Sequence, residues 1–162
     1  MTSSTKTEAY RTYLEERLQG EVYGEATMRT MAQICADTDP ERAAKFRVLE
    51  QLERETKELL LPAVREAGGT SEPNPARIEE GETLGAQMAS APWTDLMRRM
   101  CAELEKVVEE FERSEALAPA GRESVLKAVT DHERALLEFA RRELDADGGG
   151  DSLAPVRALL RS

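Results

Sequence analysis

Apolar residues recur along this chain at helical intervals, and prolines and glycines divide them into segments. In the first segment, Lys6 to about Ala36, the residues Tyr10, Leu14, Leu18, Met28, Ala32 and Cys35 fall at spacings built from three, four and seven. Such spacings mark one face of a helix. The segment stops at Asp37-Thr38-Asp39-Pro40. Asp39 is placed to cap the following helix, and Pro40 occupies its first turn, where a missing N–H costs nothing. The second helix is predicted from Pro40 to about Glu66, with Phe46, Leu49, Leu52, Leu59, Leu60, Ala63 and Val64 on its apolar side. Pro62 lies inside that pattern and predicts a kink or an early end, because it removes a backbone hydrogen bond. Ala67-Gly68-Gly69 is a helix stop, and the stretch to Pro75 is an exposed loop.

A weaker helix, about Ala76 to Ser90, carries Ile78, Leu84 and Met88 but also Gly81 and Gly85, and it opens a long crossover. Ser90-Ala91-Pro92 introduces a third long helix to about Leu117, with Trp93, Leu96, Met97, Met100, Leu104, Val107, Val108 and Phe111. After the turn at Ala118-Pro119, a fourth runs to about Leu144 with Val125, Val129, Leu136, Leu137 and Phe139 inward. A Gly-rich link is expected at 145–151. A short C-terminal helix at 152–161 would dock through Leu153, Val156, Leu159 and Leu160. Each long helix would span ~40 Å at 1.5 Å per residue. Two short turns and one long middle connection predict a single all-α domain, with the bundle over about 6–145. It comprises two antiparallel helix pairs, up-down-down-up, with a long crossover and a short fifth helix.

Composition supports this reading. Straight side chains dominate, and aromatics make up only 4% of the chain, which is a helix-forming balance and argues against a β-sandwich or barrel. The formal charge of −10 argues against a nucleic-acid partner, because phosphate binding relies on clustered Lys and Arg. The two cysteines, Cys35 and Cys101, have no CxxC spacing and read as small buried hydrophobes in a reducing compartment. Met1 to Thr7 lack the apolar stretch of a signal peptide, and no run approaches the ~20 residues of a membrane span. The expectation is a cytoplasmic protein without membrane contact, paired as a homodimer through a helix face.

Polar residues placed on apolar stripes carry the chemistry. Glu21 lies seven after Leu14 and seven before Met28, and Glu25 lies seven after Leu18. Glu53 and Thr56 continue the series Phe46, Leu49 towards Leu60. Glu103 lies three after Met100 and four before Val107, and His132 falls between Val129 and Leu136. One polar residue near the middle of each long helix would converge in an antiparallel bundle. Burying unpaired carboxylates is costly, so such a group needs a partner, a proton or a metal. Gly20 and Gly24 flank Glu21 and weaken the helix, a cost that close approach of another backbone would offset. Met28, Met31, Met88, Met97 and Met100 read as plastic core filling. No phosphate loop, dinucleotide fingerprint or Cys–His nucleophile motif is present.

Gly20-Glu21 followed by Phe46-x-x-x-Glu50-x-x-Glu53-x-x-Thr56 resembles the first half of a rubrerythrin-type, ferritin-like domain. His132-Glu133-x-x-Leu136-x-x-Phe139, then Glu143-Leu144, is similar to the fourth helix of ferritin-like proteins. The resemblance covers roughly residues 8–145. It implies a carboxylate-bridged di-iron centre built from two Glu-x-x-His motifs and one Glu from each other helix. Here Thr56 replaces one histidine, Val129 stands in place of a Glu, and the chain has one histidine in all. At most Glu21, Glu53, Glu103 and His132 can be carried over as ligands. The expectation is therefore a ferritin-like protein with a degenerate di-iron site. Glu21, Glu53, Thr56 and His132 would form a hydrogen-bonded network or small-ligand pocket, with no resident metal. The alternative is an iron- or manganese-dependent oxidoreductase acting on oxygen or peroxide, and a third possibility is a bundle acting only through its surface.

Overall fold

The computed structural model of the protein describes residues 3–145 and 150–161, and no strand occurs among them. Among the described residues six helices follow one another: α1 (Ser3–Cys35), α2 (Pro40–Glu66), α3 (Pro75–Met88), α4 (Trp93–Ser114), α5 (Glu123–Leu144) and α6 (Ala154–Arg157). A 3₁₀ turn, Glu115–Leu117, extends α4. The start of α2 follows from local chemistry, since Asp39 Oδ1 accepts the Arg42 N–H at 3.0 Å and Pro40 occupies the first turn. Asn74 caps α3 in the same way, accepting from the Ala76 N–H.

Pro62 does not end α2, which continues to Glu66. The proline and Glu58, whose carbonyl it leaves without a donor, are both exposed, so water can satisfy the freed group. Leu59, expected on the apolar side, is 40% exposed. The C-terminal helix is a single turn rather than a helix over 152–161. Leu153 and Val156 dock as expected, but Leu159 is 42% exposed. The last residues leave the helix because Arg161 bonds to Glu55 of α2, through its N–H at 2.7 Å and its guanidinium at 2.8 Å. Of the link at 145–151, residues 146–149 lie outside the described residues.

Side-chain pairs fix the helix directions. Glu25 meets Arg54 and Lys57 while Glu15 meets Thr70, so α1 and α2 are antiparallel. Glu112 meets Arg134 and Glu105 meets Arg141, so α4 and α5 are antiparallel too. Thr56 meets His132 and Lys45 meets Glu143, which sets α5 antiparallel to α2. Helix α3 runs parallel to α1 and carries the chain back along it. Its glycines make that possible. A Cβ on Gly81 would clash with the Tyr23 carbonyl and come within 3.0 Å of the Ala26 Cβ. One on Gly85 would lie 2.7 Å from the Thr27 carbonyl oxygen. The close backbone approach expected at Gly20 and Gly24 of α1 thus occurs on α3 instead.

The apolar core is in two parts. One, towards the α1–α2 turn, contains Met28, Met31, Phe46, Leu49, Met97, Leu136, Phe139 and Val156. The Trp93 ring packs on it, 5.7 Å from Phe46 and 6.4 Å from Phe139, and its Nε1–H donates to Glu143 at 2.8 Å. The other part contains Tyr10, Tyr13, Leu14, Leu18, Leu60, Val64, Phe111, Leu126 and Val129. Cys35 is buried as expected, whereas Cys101 is only half-buried. Between the two parts lies a band of buried polar residues.

Gly81→Ala tests the α1–α3 contact. Alanine is the better helix former by about 1 kcal/mol, yet overpacking against a backbone carbonyl costs about 1–3 kcal/mol. The expected result is a lower thermal midpoint by circular dichroism. An unchanged or higher midpoint would show that α3 is free to move off α1.

Candidate functional site

The polar band is built by three helices. Glu21 continues the Leu14–Leu18 face of α1, Glu53 and Thr56 share one face of α2 between Leu49 and Leu60, and His132 follows Val129 on α5. All four are buried, and Glu21 is only 3% exposed. One oxygen each from Glu21 and Glu53 and one nitrogen of His132 lie within 4.8 Å of one another. His132 is hydrogen-bonded at one ring nitrogen and flanked by the two carboxyls. Nδ1 is 2.8 Å from Thr56 Oγ1 and 3.5 Å from Glu21 Oε2, and Nε2 is 3.6 Å from Glu53 Oε2. Gly24 leaves room for the Glu53 carboxylate, since a Cβ there would fall 2.5 Å from its Cδ. The weak spot in α1 is therefore occupied by a side chain of α2.

Electrostatics follow from this packing. Burial alone would lower the pKa of His132, but the Glu21 and Glu53 carboxyls outweigh it and raise the imidazolium pKa to about 10. Burial pushes Glu21 well above the usual carboxyl range; His132 opposes that shift and Glu53 reinforces it. The centre thus approaches neutrality as an imidazolium between two carboxyls, one of them favouring its protonated form. Nδ1–H then donates to Thr56, whose oxygen serves as acceptor. Glu21 Oε2 receives no hydrogen bond.

Glu103 is not part of this centre. It is exposed and accepts the Arg99 Nε–H at 2.9 Å. The inward line of α4 runs through Met97, Leu104, Val108 and Phe111, and Glu103 sits one position off it. Glu25 is buried but belongs to an ion-paired edge with Arg54 and Lys57. The structure adds Glu133, which lies next to His132 and was visible only as part of the His-Glu pair. Burial pushes its carboxyl up to about 7, reinforced by Glu53 and opposed first by His132 and then by Arg17.

Glu21, Glu53 and Glu133 are among the residues lining a pocket of about 380 Å³ between α1 and α4. Its walls are mostly apolar, with Met28, Met31, Met88 and Met100 contributing thioethers. Glu103 also contributes to its lining. The chain matches no family model, no curated protein and no solved structure.

The shifts give stability a definite pH dependence. A group with a raised folded pKa contributes stability fully below its unfolded pKa and loses it as pH rises through the folded value. For Glu133 the loss runs from about 4.5 to about 7, and for His132 from 6.5 to about 10. Both fall in the alkaline direction, and Glu21 has the same sign. Chemical denaturation should show stability declining from pH 6.5 to 10, and His132→Gln should flatten that limb. A wild-type profile flat across this range would contradict the charge assignment.

Proposed function

We propose that this chain is a ferritin-like helical protein whose ancestral metal centre has become a hydrogen-bonded polar centre. Its role is to bind a small ligand or partner rather than to carry out redox chemistry. The antiparallel pairs, the return along α3 and the central polar band support the ferritin-like reading. The observation that carries the functional reading is the 2.8 Å contact of His132 Nδ1 with the Thr56 hydroxyl, with the Glu21 and Glu53 carboxyls flanking the ring as ion-pair partners at 3.5 and 3.6 Å. A metal-ligating histidine needs one lone pair free, and an imidazolium held protonated by two carboxyls has none to offer. The residues present do not fit a carboxylate-bridged pair of metals, because Thr56 and Val129 replace ligands and Glu103 faces solvent.

A second reading, an iron- or manganese-dependent oxidoreductase, is favoured by one observation. Glu21, Glu53 and His132 converge closely, and Glu21 Oε2 has no hydrogen bond. Those three residues would hold a single ion if His132 turned one nitrogen away from its present partner.

Metal analysis of protein purified without chelator, from medium supplemented with iron and manganese, separates the two. The expected content is below about half an equivalent per chain, with no rise in melting temperature on adding iron. A tightly held ion at a hundred times its Kd would stabilise the fold by about 2.7 kcal/mol, and that shift, lost in His132→Ala, would favour the oxidoreductase. Glu53→Ala and His132→Ala should each destabilise the metal-free protein, on the order of 3–5 kcal/mol, as removing one partner of a buried ion pair does. Variants that melt like the parent would contradict the network.

A further inference from the structure

The cleft between α1 and α4 is bounded at one end, where the Tyr13 and Phe111 rings stand with centroids 6.0 Å apart. Its volume of about 380 Å³ lies within the range of about 300–1,000 Å³ common for small-molecule sites. Two features of its lining go unexplained by the packing of the helices. Four of the chain's six methionines, Met28, Met31, Met88 and Met100, border it, with Leu84 and Leu104 beside them. Flexible, polarisable side chains from three helices thus surround one space, where they can adapt to an enclosed body. The second feature is Gly20. A glycine inside a helix weakens it, and no neighbour requires this one, unlike Gly81 and Gly85: a Cβ at Gly20 would meet no atom within 4 Å. Gly20 lines the cleft, so its missing side chain enlarges the space there.

The charged groups of the lining are already matched. Arg99 donates to Glu103 at 2.9 Å, and Arg77 pairs with Glu80. Glu21 and Glu53 flank the His132 ring at 3.5 and 3.6 Å. Arg17 stands 3.9 Å from Glu16, and Arg17 and His132 both act on Glu133. A charged ligand would give up its hydration and find no unmatched charge to replace it. We propose that this cleft binds one neutral, predominantly apolar small molecule, packed against the methionines in the space beside Gly20. This ligand class deepens the ligand-binding reading of the protein and rests on it.

Calorimetric titration and thermal melting of the full, metal-free chain with butylbenzene, phenylbutylammonium and phenylbutanoate test the proposal, since the three share an apolar body and differ in charge. Butylbenzene should bind saturably at one equivalent per chain and raise the melting temperature. Both ions should bind at least about tenfold more weakly, because their charge goes unpaired. Gly20→Leu puts a better helix former into the open space. It should keep cooperative melting and weaken butylbenzene binding at least about tenfold, as filling a ligand's volume does. Met100→Trp, at a half-buried position of the lining on α4, should do the same and decides the matter if Gly20→Leu fails to fold. Leu59→Ser, at an exposed apolar residue outside the lining, should bind as the parent does. No butylbenzene binding, equal binding of either ion, affinity unchanged in the folded lining variants, or an equal loss in Leu59→Ser would overturn the proposal. So would a ligand-free dimer that Gly20→Leu dissociates, because a second copy would then occupy the cleft. Absent butylbenzene binding while His132→Ala still destabilises the metal-free protein overturns this ligand class alone. Stoichiometric metal uptake that is lost in His132→Ala overturns the ligand-binding reading and this proposal with it.

Discussion

An imidazole held between two carboxyls is the constraint around which this bundle is arranged. His132 reaches Glu21 of α1, Glu53 and Thr56 of α2 from its own position on α5. Three helices are thereby tied at one depth. A displacement of any of them along its axis would leave a buried charge or donor without its partner, at a cost of several kcal/mol. The apolar core divides around that layer, with one part near the α1–α2 turn and the other beyond Leu18 and Leu60. An apolar layer of the same volume would bury more hydrocarbon but would tolerate sliding. The polar layer trades some stability for a fixed register.

The same layer accounts for the pocket. Helix α1 packs along α2 and α3, and α5 packs along α4, so α1 and α4 face each other across a gap. Tyr13 and Phe111 close one end of it, their ring centroids 6.0 Å apart. Glu21, Glu53 and Glu133 line it together with Met28, Met31, Met88 and Met100, whose side chains are flexible and polarisable.

Helix positions were legible in the sequence because the apolar spacing, Asp39-Pro40 and the glycine stop all point the same way. The central cluster was legible for a related reason: Glu21, Glu53, Thr56 and His132 interrupt apolar faces at similar depth. What failed were judgements that depend on phase within a turn. Glu103 fits a spacing to Met100 and Val107, but the buried residues of α4 are Leu96, Met97, Val108 and Phe111, with half-buried Leu104 on their line. One residue of phase moved it to the surface. Gly81 and Gly85 look like weaknesses in a poor helix, and only the packed neighbour reveals them as the contact with α1. Glu133 was hidden because adjacent residues on a helix point about 100° apart, which left the residue beside His132 off the predicted face. The length of α6 depends on Arg161 meeting Glu55, a pairing across 106 positions that no local pattern carries.

The chain has one histidine, which makes its charge state directly observable. Long-range proton–nitrogen NMR of uniformly ¹⁵N-labelled, metal-free protein reports both ring nitrogens of His132 without assignment ambiguity. Two protonated, pyrrole-type nitrogens are expected at neutral pH, with no change until the pH approaches about 10. A neutral ring with one unprotonated nitrogen at pH 7, titrating near the ordinary value of 6.5, would contradict it.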